Sequence, residues 1–141
     1  MKPTPPLTRF IGEAERTLQA VLRQRLERAG LTFEEWVTLT ILSGPTEPDK
    51  TQLIKQIAAA KVVAPGDEAE LVQAMIQRDF IAGDSALALS EHGRTVFEPL
   101  RDAVRGITAG LFADLPAEDL DTTRRVLETV TQRANQLLMP E

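Results

Sequence analysis

The sequence predicts a mainly α-helical fold with one small β-hairpin, an α+β arrangement in which helices dominate. Apolar residues recur at spacings of three and four along most of the 141 residues, which is the period of a helix buried on one face. The period changes once, after Asp79, where two short apolar runs flank Gly83-Asp84-Ser85 and predict a tight turn. With 43% hydrophobic residues, a chain of this length suits a single domain with a real core.

The first helix is predicted from Leu7 to Gly30. Three prolines in residues 1–6 predict a disordered or extended lead-in, because proline has no backbone donor and resists helix entry beyond the first turn. Gly30 is the expected C-terminal stop. One apolar stripe runs along the helix, formed by Leu7, Ile11, Ala14, Leu18, Val21 and Leu22.

The second helix has the clearest start signal in the chain. The hydroxyl of Thr32 can accept from the backbone of Glu35 while the Glu35 carboxylate accepts from the backbone of Thr32, and Leu31 can pack on Trp36 across the turn. We expect this helix to begin at Thr32 and to stop at Gly44-Pro45.

Two shorter helices are predicted next. Asp49 or Thr51 caps the third helix, which is expected over residues 52–60. Pro65 suits the first turn of the fourth helix. That helix is expected to carry Leu71, Val72, Met75 and Ile76 to the core.

Two long helices follow the predicted hairpin. Ser90 caps the fifth, which Asp114-Leu115-Pro116 ends. Its expected inward positions are Phe97, Leu100, Val104, Ile107 and Leu111, and the glycines Gly106 and Gly110 predict a close helix crossing or a bend. Glu118 and Asp119 lie in the first turn of the last helix, where its dipole favours acids. The apolar face of that helix is formed by Leu120, Leu127, Val130, Ala134 and Leu137.

Composition argues against most enzyme classes and predicts no cofactor. Without cysteine there is no thiolate nucleophile or sulfur-ligated metal, and a single histidine, His92, cannot build a multi-histidine metal site. Ser43, Ser85 and Ser90 have no paired histidine, and the glycines form no phosphate-binding loop. The N-terminal residues do not resemble a signal peptide and no apolar run has the length of a membrane span, so we expect a cytoplasmic protein without membrane contact.

The order of elements resembles the MarR family of bacterial winged helix-turn-helix transcription regulators. Gly30 to Trp36 matches the family's glycine, leucine, threonine and aromatic at the opening of helix 2. Leu89 to Arg94 is similar to its opening of helix 5, and Leu115 to Leu120 to the start of its last helix. The end of the recognition helix and the start of the wing match at Leu71, Met75, Asp79, Phe80 and Ile81.

The resemblance implies a homodimer. Residues 7–30 and 91–138 would supply the dimerisation helices, and residues 31–90 the winged helix-turn-helix lobe. The wide apolar stripes on the first and the last two helices support this independently, because they exceed what one small lobe covers. The alternative is a monomeric helical bundle with a hairpin.

The resemblance also implies double-stranded DNA as a partner, with the fourth helix in the major groove and the hairpin tip in the minor groove. The candidate contacts around the third and fourth helices are Thr51, Gln52, Lys55, Lys61, Gly66, Ala69, Gln73 and Arg78.

The negative net charge of this region opposes DNA binding. Residues 45–92 hold four basic and eight acidic side chains, a net charge of −4 out of −5 for the whole chain. Asp67 and Glu70 fall at DNA-facing positions, whereas Glu68 is expected only to stabilise its helix terminus. The hairpin tip has Asp84 and no cation. An acidic face could instead dock a basic protein, or mark a MarR-like dimer that has lost DNA binding and acts as a protein-interaction or sensor module.

Finally, the resemblance implies a small aromatic or anionic effector. The residues predicted to line its cleft, between the dimerisation helices and the winged lobe, are Arg9, Arg16, Phe33 and Trp36. For Trp36 a core role is the stronger expectation, because packing on Leu31 already explains it.

Overall fold

A computed structural model describes residues 3–140 of the protein. That part of the chain contains six helices and one two-stranded antiparallel sheet, and none of its helices is long and apolar enough to cross a membrane. In chain order the elements are α1 (Leu7–Ala29), α2 (Phe33–Leu42), α3 (Lys50–Ala60), α4 (Glu68–Gln77), β1 (Ile81–Ala82), β2 (Ala88–Leu89), α5 (Glu91–Leu111) and α6 (Ala117–Leu138). The expected mainly helical fold with a small hairpin is confirmed. Met1 and Lys2 of the predicted lead-in lie outside the described residues.

Capping interactions confirm the predicted end of α1 and the predicted start of α2. Gly30 adopts the left-handed conformation that ends α1, with φ of 73°. The hydroxyl of Thr32 accepts from the backbone N–H of Glu35 at 3.2 Å, and the Glu35 carboxylate accepts from the backbone N–H of Thr32 at 2.9 Å. This reciprocal pair satisfies two otherwise free donors at the start of α2.

The starts of α3 and α4 differ from prediction. Asp49, one of the two predicted caps, is confirmed and forms a second capping box with Gln52, so α3 begins at Lys50 rather than at residue 52. Pro65 does not lie in the first turn of α4. It belongs to a separate turn in which the backbone N–H of Asp67 donates to the carbonyl of Ala64 at 3.0 Å, and the helix starts only at Glu68.

The hairpin is shorter than its apolar runs suggested. Ile81 pairs with Leu89 and Ala82 with Ala88, so each strand has two residues. Gly83 makes the turn with φ of 106°, and a Cβ there would overlap the carbonyl oxygen of Ala86.

The chain divides into two compact units, the first ending at Arg105 and the second beginning at Gly106, within α5. The core of the first unit brings together the apolar faces of α2, α3 and α4, both strands and the first half of α5. The Trp36 and Phe97 rings meet at its edge, with centroids 5.1 Å apart. The buried apolar residues are Leu26, Leu31, Leu39, Leu42, Leu53, Ile57, Val72, Met75, Phe80, Ile81, Leu87, Leu89, Phe97 and Leu100.

In the second unit the predicted apolar face is exposed. All 22 residues of α6 are described and none is buried. Leu111, expected to point inward on α5, is 51% exposed, because it lies past the half of the helix that packs on the core. The exposed apolar residues of this unit include Phe112, Leu115, Val126, Leu127, Val130 and Leu137.

Candidate nucleic-acid interface

The outer faces of α3 and α4 form the candidate interface. Both helices bury one face, through Leu53 and Ile57 in α3 and through Val72 and Met75 in α4, and leave the opposite face in solvent. The structure exposes all eight residues predicted to contact DNA, namely Thr51, Gln52, Lys55, Lys61, Gly66, Ala69, Gln73 and Arg78.

Three of these side chains have partners within the chain, and two of the three, Gln52 and Gln73, are uncharged. The side-chain oxygen of Gln52 accepts from the backbone N–H of Asp49 at 2.9 Å, so it stabilises the start of its own helix. The side-chain oxygen of Gln73 accepts from the ammonium of Lys50 at 3.4 Å, a long bond across α3 and α4. Gln73 therefore remains the more available of the two for a base edge.

Arg78 is held by an ion pair that the sequence did not indicate. Its guanidinium pairs with Oε2 of Glu35 and lies over the ring of Phe80, 4.9 Å from the centroid. The Glu35 side chain is 7% exposed and that of Arg78 is 51% exposed. Glu35 thus joins the start of α2 to the end of α4 through its two oxygens, one on the cap of α2 and one on Arg78.

The acidic side chains divide into two groups. Glu68 is buried and its Oε2 accepts from the backbone N–H of Gly66 at 2.9 Å, so its role is local. Asp67, Glu70 and Asp84 are exposed, at the N-cap of α4, in its first turn and at the hairpin tip, respectively. Lysines are the only exposed cations of α3 and of the turn after it, at positions 50, 55 and 61.

Hydrogen bonds of the Ser90 side chain join the base of the hairpin to the start of α5. The hydroxyl of Ser90 donates to the carbonyl of Asp79 and accepts from the backbone N–H of Gly93 at 2.9 Å, which confirms Ser90 as the cap of α5. His92 stacks on Phe80 with ring centroids 5.2 Å apart, a packing role. Asp79 has a positive φ of 63° at the end of α4.

A single chain does not bring the four predicted effector-cleft residues together. Phe33 lies beside Arg23, whose guanidinium is 5.6 Å from its ring centroid. Arg9 precedes Arg23 by 14 residues along α1, about 21 Å at the helical rise, and pairs with Glu13 at 3.2 Å. Arg16 folds towards its neighbour Gly12, and Trp36 packs on the core.

The structure offers no obvious metal site between residues 3 and 140. Within those bounds, no three acidic or histidine side chains come close enough to hold an ion.

Solved structures share this architecture, although no protein-family model and no curated protein matches the sequence. Ligand-free NadR aligns with 96% of this chain and 100% of its own, at 15% identity and a TM-score of 0.73. A MarR family protein from Bacillus stearothermophilus aligns with 92% of this chain and 93% of its own, at 18% identity and a TM-score of 0.72. The Mycobacterium tuberculosis MarR family protein Rv2887, in complex with DNA, aligns with 90% of this chain and 98% of its own, at 22% identity and a TM-score of 0.68.

Proposed function

We propose that this chain, which has the fold of MarR family proteins, is a cytoplasmic, homodimeric, DNA-binding transcription regulator without catalytic activity. One observation carries the proposal: a protein of the same fold, matched over nearly its whole length, has been solved in complex with DNA. In this assignment residues 31–90 form the winged helix-turn-helix lobe. Residues 7–30 and 91–138 form the dimerisation helices.

The exposed apolar side chains support the homodimer. Leu7, Ile11 and Leu18 of α1 are 71%, 40% and 43% exposed, and α6 has no buried residue. Apolar surface on this scale is typical of an interface. Sedimentation of the purified chain tests the homodimer, and a single subunit at high concentration would exclude it.

DNA binding is tested by selecting bound duplexes from a random pool and then measuring affinity by fluorescence anisotropy at several salt concentrations. A winged helix-turn-helix dimer should select a pseudo-palindrome with half-sites about one helical turn apart. Its affinity should fall as salt rises, because lysines that contact phosphates release counterions. Lys55→Gln is the diagnostic variant, and Arg28→Gln, at the last turn of α1, is the matched control.

The acidic interface favours a second candidate function, a MarR-like dimer that has lost DNA binding and acts as a protein-interaction or sensor module. Asp67 and Glu70 are exposed at the start of α4 and would repel phosphates. The double replacement Asp67→Ser with Glu70→Ser separates the two functions. Newly gained duplex affinity in a protein that shows none beforehand supports the second, whereas selection of a duplex by the unmodified chain supports the first.

The effector site in this proposal combines residues of two copies. Arg9 lies about 21 Å along α1 from Arg23, the residue beside Phe33, so a cleft with all four needs a partner. Rv2887 has also been solved in complex with salicylic acid. Salicylate is therefore the first probe, and Arg16→Gln should weaken its binding to the dimer if this cleft exists.

A further inference from the structure

A cavity of about 200 Å³ opens at the surface of the first unit, apart from the outer face of α4. Its lining includes Phe97, whose ring packs against the predicted effector residue Trp36. It lies between the end of α2, the loop that leads to α3, strand β2 and the first half of α5. Leu89 and Phe97 provide an apolar floor, and four charged side chains line the walls, namely Glu47, Arg94, Glu98 and Arg101.

Arg101 carries an unsatisfied donor at this cavity. Its Nε is buried and has no hydrogen-bond partner in the described part of the chain. The exposed carboxylate of Asp102 lies 3.5 Å from that atom without the geometry of a hydrogen bond, and it accepts instead from Nη2 of the same guanidinium at 3.5 Å. Because that atom has almost no accessible surface, a ligand in the cavity would accept from the terminal nitrogens of Arg101 rather than from Nε.

The four charges balance without pairing with one another. Arg94 and Arg101 are seven residues apart on one face of α5, about 10 Å along the helix, and Glu98 lies between them. Within residues 3–140, neither Arg94, Glu98 nor Glu47 forms an ion pair. A simple anion would therefore meet two carboxylates and a simple cation two guanidiniums, whereas a ligand that carries both charges can satisfy each sign.

We propose that this cavity binds a zwitterion of the size of a free α-amino acid. Its carboxylate would accept from Arg101, its ammonium would donate to Glu98, and an apolar side chain would lie on Leu89 and Phe97. The volume agrees with this size, because a cavity of about 150 Å³ accommodates benzene. This site goes beyond the proposed regulator and does not depend on DNA binding.

The place of the cavity suggests what a bound ligand would stabilise. Glu47 immediately precedes Pro48, whose carbonyl accepts from the backbone N–H of Leu87 at 2.8 Å. This bond joins the loop before α3 to the start of β2. A zwitterion in the cavity would therefore lie between this loop and α5, next to the bond that joins the loop to the hairpin.

Calorimetry on the full chain tests the site with three probes of one carbon skeleton. Leucine has both charges, 4-methylpentanoate has only the carboxylate, and 3-methylbutylamine has only the ammonium. Leucine should bind, and each single-charge probe should bind at least about tenfold more weakly, because a hydrogen bond between charged groups is lost. Equal binding of the carboxylate probe would overturn the zwitterion assignment, and so would no binding of leucine, valine or phenylalanine at millimolar concentration.

Variants then locate the binding site. Arg101→Gln and Glu98→Gln should each weaken leucine binding at least about tenfold. Arg105→Gln, on an exposed position of the same helix outside the cavity, is the matched control and should leave it unchanged. Glu98 is exposed, so its replacement tests the site even if Arg101→Gln impairs folding. Unchanged leucine binding in Glu98→Gln would overturn the proposal.

Discussion

Glu35 and Arg78 form one ion pair, but removing its two members should cost different amounts of folding free energy. The Glu35 carboxylate is almost completely buried, whereas half of the Arg78 side chain reaches solvent. When Arg78 is replaced, a buried charge remains without its counterion. When Glu35 is replaced, the guanidinium can regain water. We therefore expect Arg78→Gln to destabilise the protein more than Glu35→Gln.

The magnitudes follow from the partners that each variant leaves. In Arg78→Gln the buried carboxylate keeps only the backbone N–H of Thr32, and the loss should be about 2–3 kcal/mol, below the figure for a fully buried pair because Arg78 is half exposed. In Glu35→Gln the amide oxygen can still accept from Thr32, since glutamine also forms capping boxes. The loss there should be about 1 kcal/mol.

Urea unfolding at a fixed protein concentration measures both variants. The concentration must be fixed because the stability of a homodimer depends on it. Lys55→Gln is the control, because it also replaces a cation with glutamine, but at an exposed position. It should shift the free energy of unfolding by less than about 0.5 kcal/mol. If Glu35→Gln costs as much as Arg78→Gln, the difference in burial does not govern the energetics of this pair.

Four further outcomes are expected. Gly93→Ala should lower the free energy of unfolding in urea by at least about 2 kcal/mol, because its Cβ would overlap the carbonyl oxygen of Phe80. The Cβ added by Gly110→Ala meets nothing within 4 Å of its own chain. This variant should instead weaken dimerisation, measured by sedimentation. Asp79→Gly should raise the free energy of unfolding by about 0.5–1 kcal/mol, since φ is 63° there. In the DNA titration, Lys55→Gln should reduce the magnitude of the salt slope by about 0.9 per lobe.

Local signals in the sequence predicted the element boundaries that depend on neighbouring residues. The capping box of Thr32 and Glu35 and the left-handed Gly30 both involve residues at most five apart in the chain, and the structure has both. Ser90 is similar, since its hydroxyl accepts from the backbone N–H three residues later. Such interactions are fixed by sequence spacing alone.

Contacts between distant residues were not predictable in this way. Glu35 and Arg78 are 43 residues apart, and the capping role of Glu35 gave no reason to expect a second partner for its other oxygen. Pro65 is compatible with a helix start and with a turn. The structure has a turn there, because Gly66, with φ of 98°, precedes the helix. The charges around the cavity also come from segments far apart in sequence, so their balance is visible only in the fold.

The acidic interface affects the selectivity of the proposed regulator more than it affects its ability to bind a correct site. Affinity for arbitrary DNA comes almost entirely from phosphate neutralisation, and three exposed lysines per lobe would give a salt slope of only about −2.7 for that lobe. Contacts to base edges, from side chains such as Gln73, are not weakened to the same degree. A lobe with four basic and nine acidic side chains, a net charge of −5 over residues 31–90, would therefore lose non-specific binding first, and the ratio of specific to non-specific affinity would rise as the total affinity falls.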